Sequence, residues 1–299
     1  MLYFISFWRW ILLETTVEHQ TSKTSKQEEH PMKSLTSLIQ RNPLPAFFIL
    51  AYVFAWVFTP LIAISPIYGL PGLFTPALAG LIVCSVTGGR AQVREYWNKL
   101  RIWRVGLIWY LLALGLPVLL SFLVAVLARF FGARAALQPA PFTPLGLVVF
   151  VLVVGEEFGW RGYAQPQLEK SYSPLLAALI LGVLWGFWHL PNFFIPSLPH
   201  YEIPLPAFVI YTTALSILAA WLLKHTQGSV LIATLLHGAT NTFGFLTPAL
   251  DTATRWWLIA GVYGAAALLV AALYGTRLYR VTPAANIDHS LTASTPPKT

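Results

Sequence analysis

Gly155-Glu156-Glu157-Phe158-Gly159-Trp160-Arg161 closes the apolar run 145–154. Two adjacent carboxylates stand where the flanking sequence demands lipid, and a charged side chain at that depth costs about 3 kcal/mol or more. An ion pair with Arg161, four residues on, accounts for one glutamate and leaves the other without a structural purpose. The chain therefore reads as a membrane scaffold built around these glutamates.

Composition supports this. The 299 residues are 57% hydrophobic and 10% charged, with a mean hydropathy of +0.65, whereas soluble globular proteins carry about 25% charged residues. The expected fold is an all-α, polytopic transmembrane helical bundle. A single cysteine, Cys84, rules out an intrachain disulfide. The net charge of +8 raises nucleic acid or anionic lipid as partners, but the basic residues cluster in short loops, as membrane topology requires. The partner implied is the lipid bilayer; no nucleic acid is expected.

Crossing about 30 Å of hydrocarbon takes about 20 apolar residues. Windows at 46–65, 72–88, 106–128, 145–167, 174–194, 206–223, 228–247 and 256–275 qualify, which predicts about eight spans. Seven remain if the 145–167 helix does not continue through the glutamates. Arg90, Arg94, Lys99, Arg101 and Arg104 crowd one connection, and Lys33, Arg41, Arg161, Lys170, Lys224, Arg277 and Arg280 fall on the same side if every window crosses. Only Arg129, Arg134 and Arg255 fall opposite. Both termini are thus expected in the cytoplasm, in an integral protein of the plasma membrane.

Residues 1–45 read as a polar or interfacial segment. Met32 is an alternative start, because 1–13 lacks the basic opening and small-residue cleavage site of a signal peptide. Residues 46–275 form the transmembrane bundle, with the catalytic core at 145–247, and 276–299 read as a disordered cytoplasmic tail. The Pro-rich stretch 196–206 reads as turn material without functional signal.

Three polar pairs share a helix face at a spacing of four, each in its own span: Glu157 with Arg161, Trp185 with His189, and His237 with Asn241. Glu156 is rotated by about 100° from Glu157, so the two cannot do the same job. Five of the seven histidines (His19, His30, His200, His225 and His289) fall in tails or loops, so His189 and His237 stand out. Singly, a histidine or asparagine in a span is more often a hydrogen-bonded packing residue. Together these are the parts of a hydrolase that activates water. Glu156 takes the proton from water, His189 orients that water, and His237 with Asn241 donates to the oxyanion. Glu157 and Arg161 brace the site. Alternatively, Glu156, His189 and His237 are a three-ligand zinc set with an open fourth position. The cofactor is left between none and zinc.

The motifs resemble those of the CAAX prenyl protease and bacteriocin-processing family of intramembrane endopeptidases, also called the abortive-infection family. Its signature of Glu-Glu-x-x-x-Arg, then Phe-x-x-x-His, then His-x-x-x-Asn/Asp is matched by Glu156-Glu157-x-x-x-Arg161, Trp185-x-x-x-His189 and His237-x-x-x-Asn241. Trp185 replaces the family's Phe, which keeps an aromatic beside His189. The resemblance implies an intramembrane endopeptidase opening towards the cytoplasmic leaflet. Glu156 is then the base, Glu157 and Arg161 lend support, and the substrate is a peptide or protein that is membrane-associated or lipidated.

One tension accompanies this reading. His189 stands fifteen residues into the window 174–194, about 22 Å along a helix, which is deep for a site reached from the cytoplasm. Pro191 offers a way out by ending or kinking the helix just after His189. The competing function is a non-catalytic membrane immunity or scaffold protein that keeps the polar cluster for packing.

Overall fold

A computed structural model describes residues 31–279, apart from 63, 131, 133–137, 140, 142 and 247–249. The expected anchor at 1–13 and the tail from 280 onward lie outside the described residues. The bundle is the unit Leu38–Thr299.

The described helices are α1 Pro31–Arg41, α2 Pro43–Ile62, α3 Thr75–Asn98, α4 Leu107–Phe130, α5 Pro144–Leu152, α6 Val154–Gly159, α7 Gln165–Leu168, α8 Pro174–Trp188, α9 Leu205–His225, α10 Val230–Thr242 and α11 Thr252–Tyr274. The segment expected to be polar or interfacial thus contributes α1. Among the described residues, six helical stretches are long and apolar enough to cross a membrane: Pro43–Ile62, Ile67–Arg101, Leu107–Phe130, Pro174–Phe194, Leu205–His225 and Thr252–Arg277. The remaining two windows hold shorter pieces. At 228–247, α10 ends at Thr242 and a two-residue strand follows.

At 145–167 the helix continues through the glutamates in sections. Val153 makes a turn between α5 and α6, and a π turn, Trp160–Ala164, leads into α7. In that turn the Gln165 N–H reaches back five residues to Trp160 O. Such wide turns insert a residue into the helical ladder and re-aim the side chains beyond it.

Helix starts follow local chemistry. Thr143, Ser173, Ser229 and Asp251 each accept a hydrogen bond from an otherwise unpaired N–H of the first turn, at 2.9–3.4 Å. Proline follows the first two, at a position where its missing N–H costs nothing.

In lipid, helices associate through close packing of small residues, and two glycine pairs at a spacing of four do this around the site. A Cβ on Gly159 would meet the Pro76 carbonyl carbon at 2.3 Å, and one on Gly155 would meet Leu73 O at 2.7 Å, so α6 lies directly against the start of α3. A Cβ on Gly182 would come within 2.5 Å of Thr213 Cα, and Gly186 faces Thr212 and Val209 in the same manner, which seats α8 on α9. Helix α9 is buried along most of its length, and α10 packs beside it against α4, α5 and α6.

The connections gather at two ends. At one, Ser229 Oγ donates to Ile102 O at 2.5 Å, Lys99 Nζ to Gly162 O at 2.8 Å, and Lys224 pairs with Glu169. At the other, Thr252 Oγ1 donates to Glu202 at 3.1 Å and Phe245 N to Ser121 Oγ at 2.8 Å, while strands β1 (Gln138–Pro139) and β2 (Phe245–Leu246) pair antiparallel.

Because the obstacle to a side chain at Gly159 is backbone, Gly159→Ala is expected to destabilise by about 1–3 kcal/mol, the usual cost of overpacking. Gly264→Ala in α11, where nothing lies within 4 Å of the new Cβ, is expected to be neutral or slightly stabilising. Thermal unfolding of the two detergent-purified variants checks this.

Candidate active site

Glu156 and Glu157 are both buried, at 3% and 1% exposure, yet they face different surroundings. Glu157 Oε1 is shared by Arg161 Nη1 at 3.0 Å and His237 Nδ1 at 2.9 Å. Arg161 also lies with its guanidinium 4.6 Å from the Trp185 ring centre, a cation–π contact that is strongest out of water. The expected Glu157–Arg161 brace is therefore present, and it extends to a second helix through His237.

Glu156 turns the other way. Its Oε2 accepts from Trp185 Nε1 at 2.9 Å, and it lines a cavity of about 710 Å³ together with Trp185, His189, His237 and Asn241. All four residues expected to carry the chemistry border this one space, while Glu157 and Arg161 stand behind it. A volume of that size suits a ligand or peptide side chains, since such sites run to about 300–1,000 Å³.

Each histidine is fixed through the same ring nitrogen. His189 Nδ1 lies 2.9 Å from Trp185 O and His237 Nδ1 2.9 Å from Glu157 Oε1. Both partners only accept, so Nδ1 carries the proton and Nε2 is the remaining polar atom of each ring. Helix α8 ends at Trp188, His189 occupies its C-terminal cap, and a 3₁₀ turn, Leu190–Phe194, continues the chain. The break comes where Pro191 leaves no N–H for another helical bond.

The zinc alternative requires Glu156, His189 and His237 to converge on one point. Among the described residues, no three His, Cys, Asp or Glu side chains are grouped so as to hold a metal ion, and Glu156 Oε2 already accepts from Trp185. The chemistry proposed below runs through the protein's own groups.

Three contributions escaped the sequence reading. Trp185 was expected only to pack beside His189; it does so, with ring centres 6.0 Å apart, but it also approaches His237 at 5.0 Å and donates to Glu156. His200, assigned to a loop, stacks on His189 with centres 5.7 Å apart and lines the cavity. Arg255, treated as a topology signal, lines it as well. Length alone places 200 and 255 outside spans, and no local pattern returns them to the site.

Residues 138–243 match the family model described as type II CAAX prenyl endopeptidase Rce1-like. The chain is also similar to the CAAX prenyl protease 2 of Methanococcus maripaludis, with 24% identity over 191 residues, 58% of this chain and 69% of the relative. Both similarities agree with the resemblance of the three motifs to the CAAX prenyl protease and bacteriocin-processing family. The apolar helices make the chain an integral membrane protein, and the matched region spans all three polar pairs.

Burial pushes the His200 imidazole down to about 4, so it is neutral in the fold near pH 7. The unfolded chain binds its proton near 6.5, so this group favours folding above that value and opposes it as pH falls towards 4. The thermal midpoint of the wild type is expected to drop across that interval, and His200→Phe to flatten part of the drop. Unfolding followed at several pH values checks this.

Proposed function

We propose that the protein is an intramembrane endopeptidase that hydrolyses a peptide bond of a membrane-associated or lipidated substrate with water activated by Glu156. The observation that supports this most is the division between the two glutamates. One is committed to Arg161 and His237 inside the protein, and the other borders a cavity with two oriented imidazoles and an amide.

Glu156 takes a proton from water as the water oxygen bonds to the substrate carbonyl carbon. The Trp185 N–H holds Oε2 and directs the other oxygen to that task. His189, protonated at Nδ1, offers the lone pair of Nε2 to the water and sets its direction. The carbonyl oxygen becomes an oxyanion, which the Asn241 amide meets by donation. His237, held through Nδ1 on Glu157 Oε1 at 2.9 Å, borders the same cavity beside Asn241. Collapse breaks the carbon–nitrogen bond, and the proton held by Glu156 passes to the leaving amine. Each step uses a group whose orientation is fixed before substrate arrives, which is where such catalysis gets most of its rate.

The competing scaffold reading needs the polar cluster for packing alone. Glu156 fits it poorly, because it is the carboxylate with no charged partner and it borders open space.

The test compares protein and peptide termini in cells expressing the wild type and Glu156→Gln at equal levels. Termini present only with the wild type, and reproduced on the purified substrate, are expected. A purified Glu156→Gln protein that still cleaves would end this mechanism.

A further inference from the structure

The cavity is walled by residues of α2, α4, α5, α6, α8, α9, α10 and α11 and of the turns between them. Histidines aside, the acidic and basic side chains among its described lining residues are two, Glu156 and Arg255. Glu156 is the base in the reaction above; Arg255 has no part in it. A guanidinium keeps its charge at any working pH, and an arginine turned into an apolar bundle marks a substrate path unless a structural partner accounts for it.

Among the described residues Arg255 has no ion pair, and its guanidinium has no hydrogen bond or cation–π contact. The carboxylates near it in the fold are engaged elsewhere. Asp251 Oδ1 caps α11 by accepting from Thr254 N at 2.9 Å, and Glu202 Oε2 accepts from Thr252 Oγ1 at 3.1 Å. Nor does the helix explain the cation, because Arg255 stands in the first turn of α11, where a positive charge opposes the helix dipole.

Register sets the direction of the side chain. Arg255, Ile259 and Tyr263 repeat at a spacing of four and all line the cavity, so one face of α11 is turned inward. The wall beside Arg255 is aromatic: Trp256 packs against Phe208 and Tyr211, with ring centres 5.6 and 5.4 Å apart. In such surroundings a charge-assisted hydrogen bond is stronger than in water. Glu156 is 3% exposed and Arg255 half-buried, so the base lies deep and the guanidinium nearer the surface.

We propose that Arg255 holds a carboxylate of the substrate, either its carboxy terminus or an acidic side chain near the cut bond, while the peptide bond lies at Glu156. The planar fork of N–H donors matches a carboxylate through two parallel hydrogen bonds. The cavity thereby selects peptides by charge as well as by membrane association, because a neutral amide in place of the carboxylate leaves the guanidinium without a partner. The role in cleavage rests on the catalytic reading above; the capture of a carboxylate does not.

The experiment uses the full chain in phosphatidylcholine nanodiscs, in the Glu156→Gln background so that nothing is cut. The probe is a mixture of short N-palmitoylated peptides of randomised sequence without acidic residues. It is made in three forms: with a free carboxy terminus, with a carboxamide, and with a carboxamide and one internal aspartate. Peptides retained by the protein over empty nanodiscs are quantified by mass spectrometry. One of the carboxylate forms is expected to be retained about tenfold above the plain carboxamide form, the usual strength of a charge-assisted pair. Which form is enriched tells the terminus from the acidic side chain. Arg255→Gln is expected to abolish the preference, and Arg255→Lys, which keeps the charge without the fork, to keep part of it. Equal retention of all three forms, or a preference that survives in Arg255→Gln, overturns the proposal. The comparison of forms is made with the arginine in place, so it decides the matter even where a variant fails to fold. If the enriched peptides are left uncut once Glu156 is restored, the catalytic reading falls and the carboxylate site stands.

Discussion

The site depends on one carboxylate oxygen. Glu157 Oε1 receives both Arg161 and His237, and these contacts tie α6 to the π turn that follows it and to α10. Without such partners a buried charge is costly in a medium that cannot solvate it, and breaking a buried pair by removing one member costs about 3–5 kcal/mol. Because this interaction absorbs the charge of Arg161, the neighbouring glutamate is free of structural duty. A rotation of about 100° per residue does the rest, sending adjacent side chains to different faces of the helix.

Trp185 connects the brace to the cavity. Its ring lies beneath the Arg161 guanidinium, its N–H is on Glu156, and its backbone carbonyl fixes His189. The family pattern has phenylalanine here, which can supply the ring and the carbonyl but no N–H. In this protein Glu156 therefore has a fixed partner on one oxygen that a phenylalanine could not provide. Glycines at 155 and 159 seat α6 against the start of α3, and those at 182 and 186 seat α8 on α9, which fixes the two helices that carry Glu156 and Trp185.

Much of this was legible in the sequence. Adjacent carboxylates in an apolar run, followed in later spans by the pairs Trp185/His189 and His237/Asn241 at a spacing of four, marked the residues that border the cavity with Glu156, and the Glu157–Arg161 pair followed from helix geometry alone. What was not legible has physical causes. A π turn has no strong residue signature, because it trades one hydrogen-bond register for another without needing glycine or proline. The sections between α5 and α7 and the brevity of α10 arise from packing around the site, which overrides hydrophobic length. His200 reaches the site through the fold of a proline-rich connection, and no periodicity reports that.

The account turns on the claim that two neighbouring glutamates have separate jobs. The most direct test is the thermal unfolding midpoint of Glu156→Gln and Glu157→Gln, measured side by side on purified protein. The account predicts that Glu156→Gln unfolds at or above the wild-type temperature, having lost a buried charge with no charged partner of its own. Glu157→Gln is predicted to unfold well below it, because Arg161 and His237 lose the carboxylate that they share. A Glu156→Gln protein that unfolds as readily as Glu157→Gln would contradict the account, since both carboxylates would then be structure.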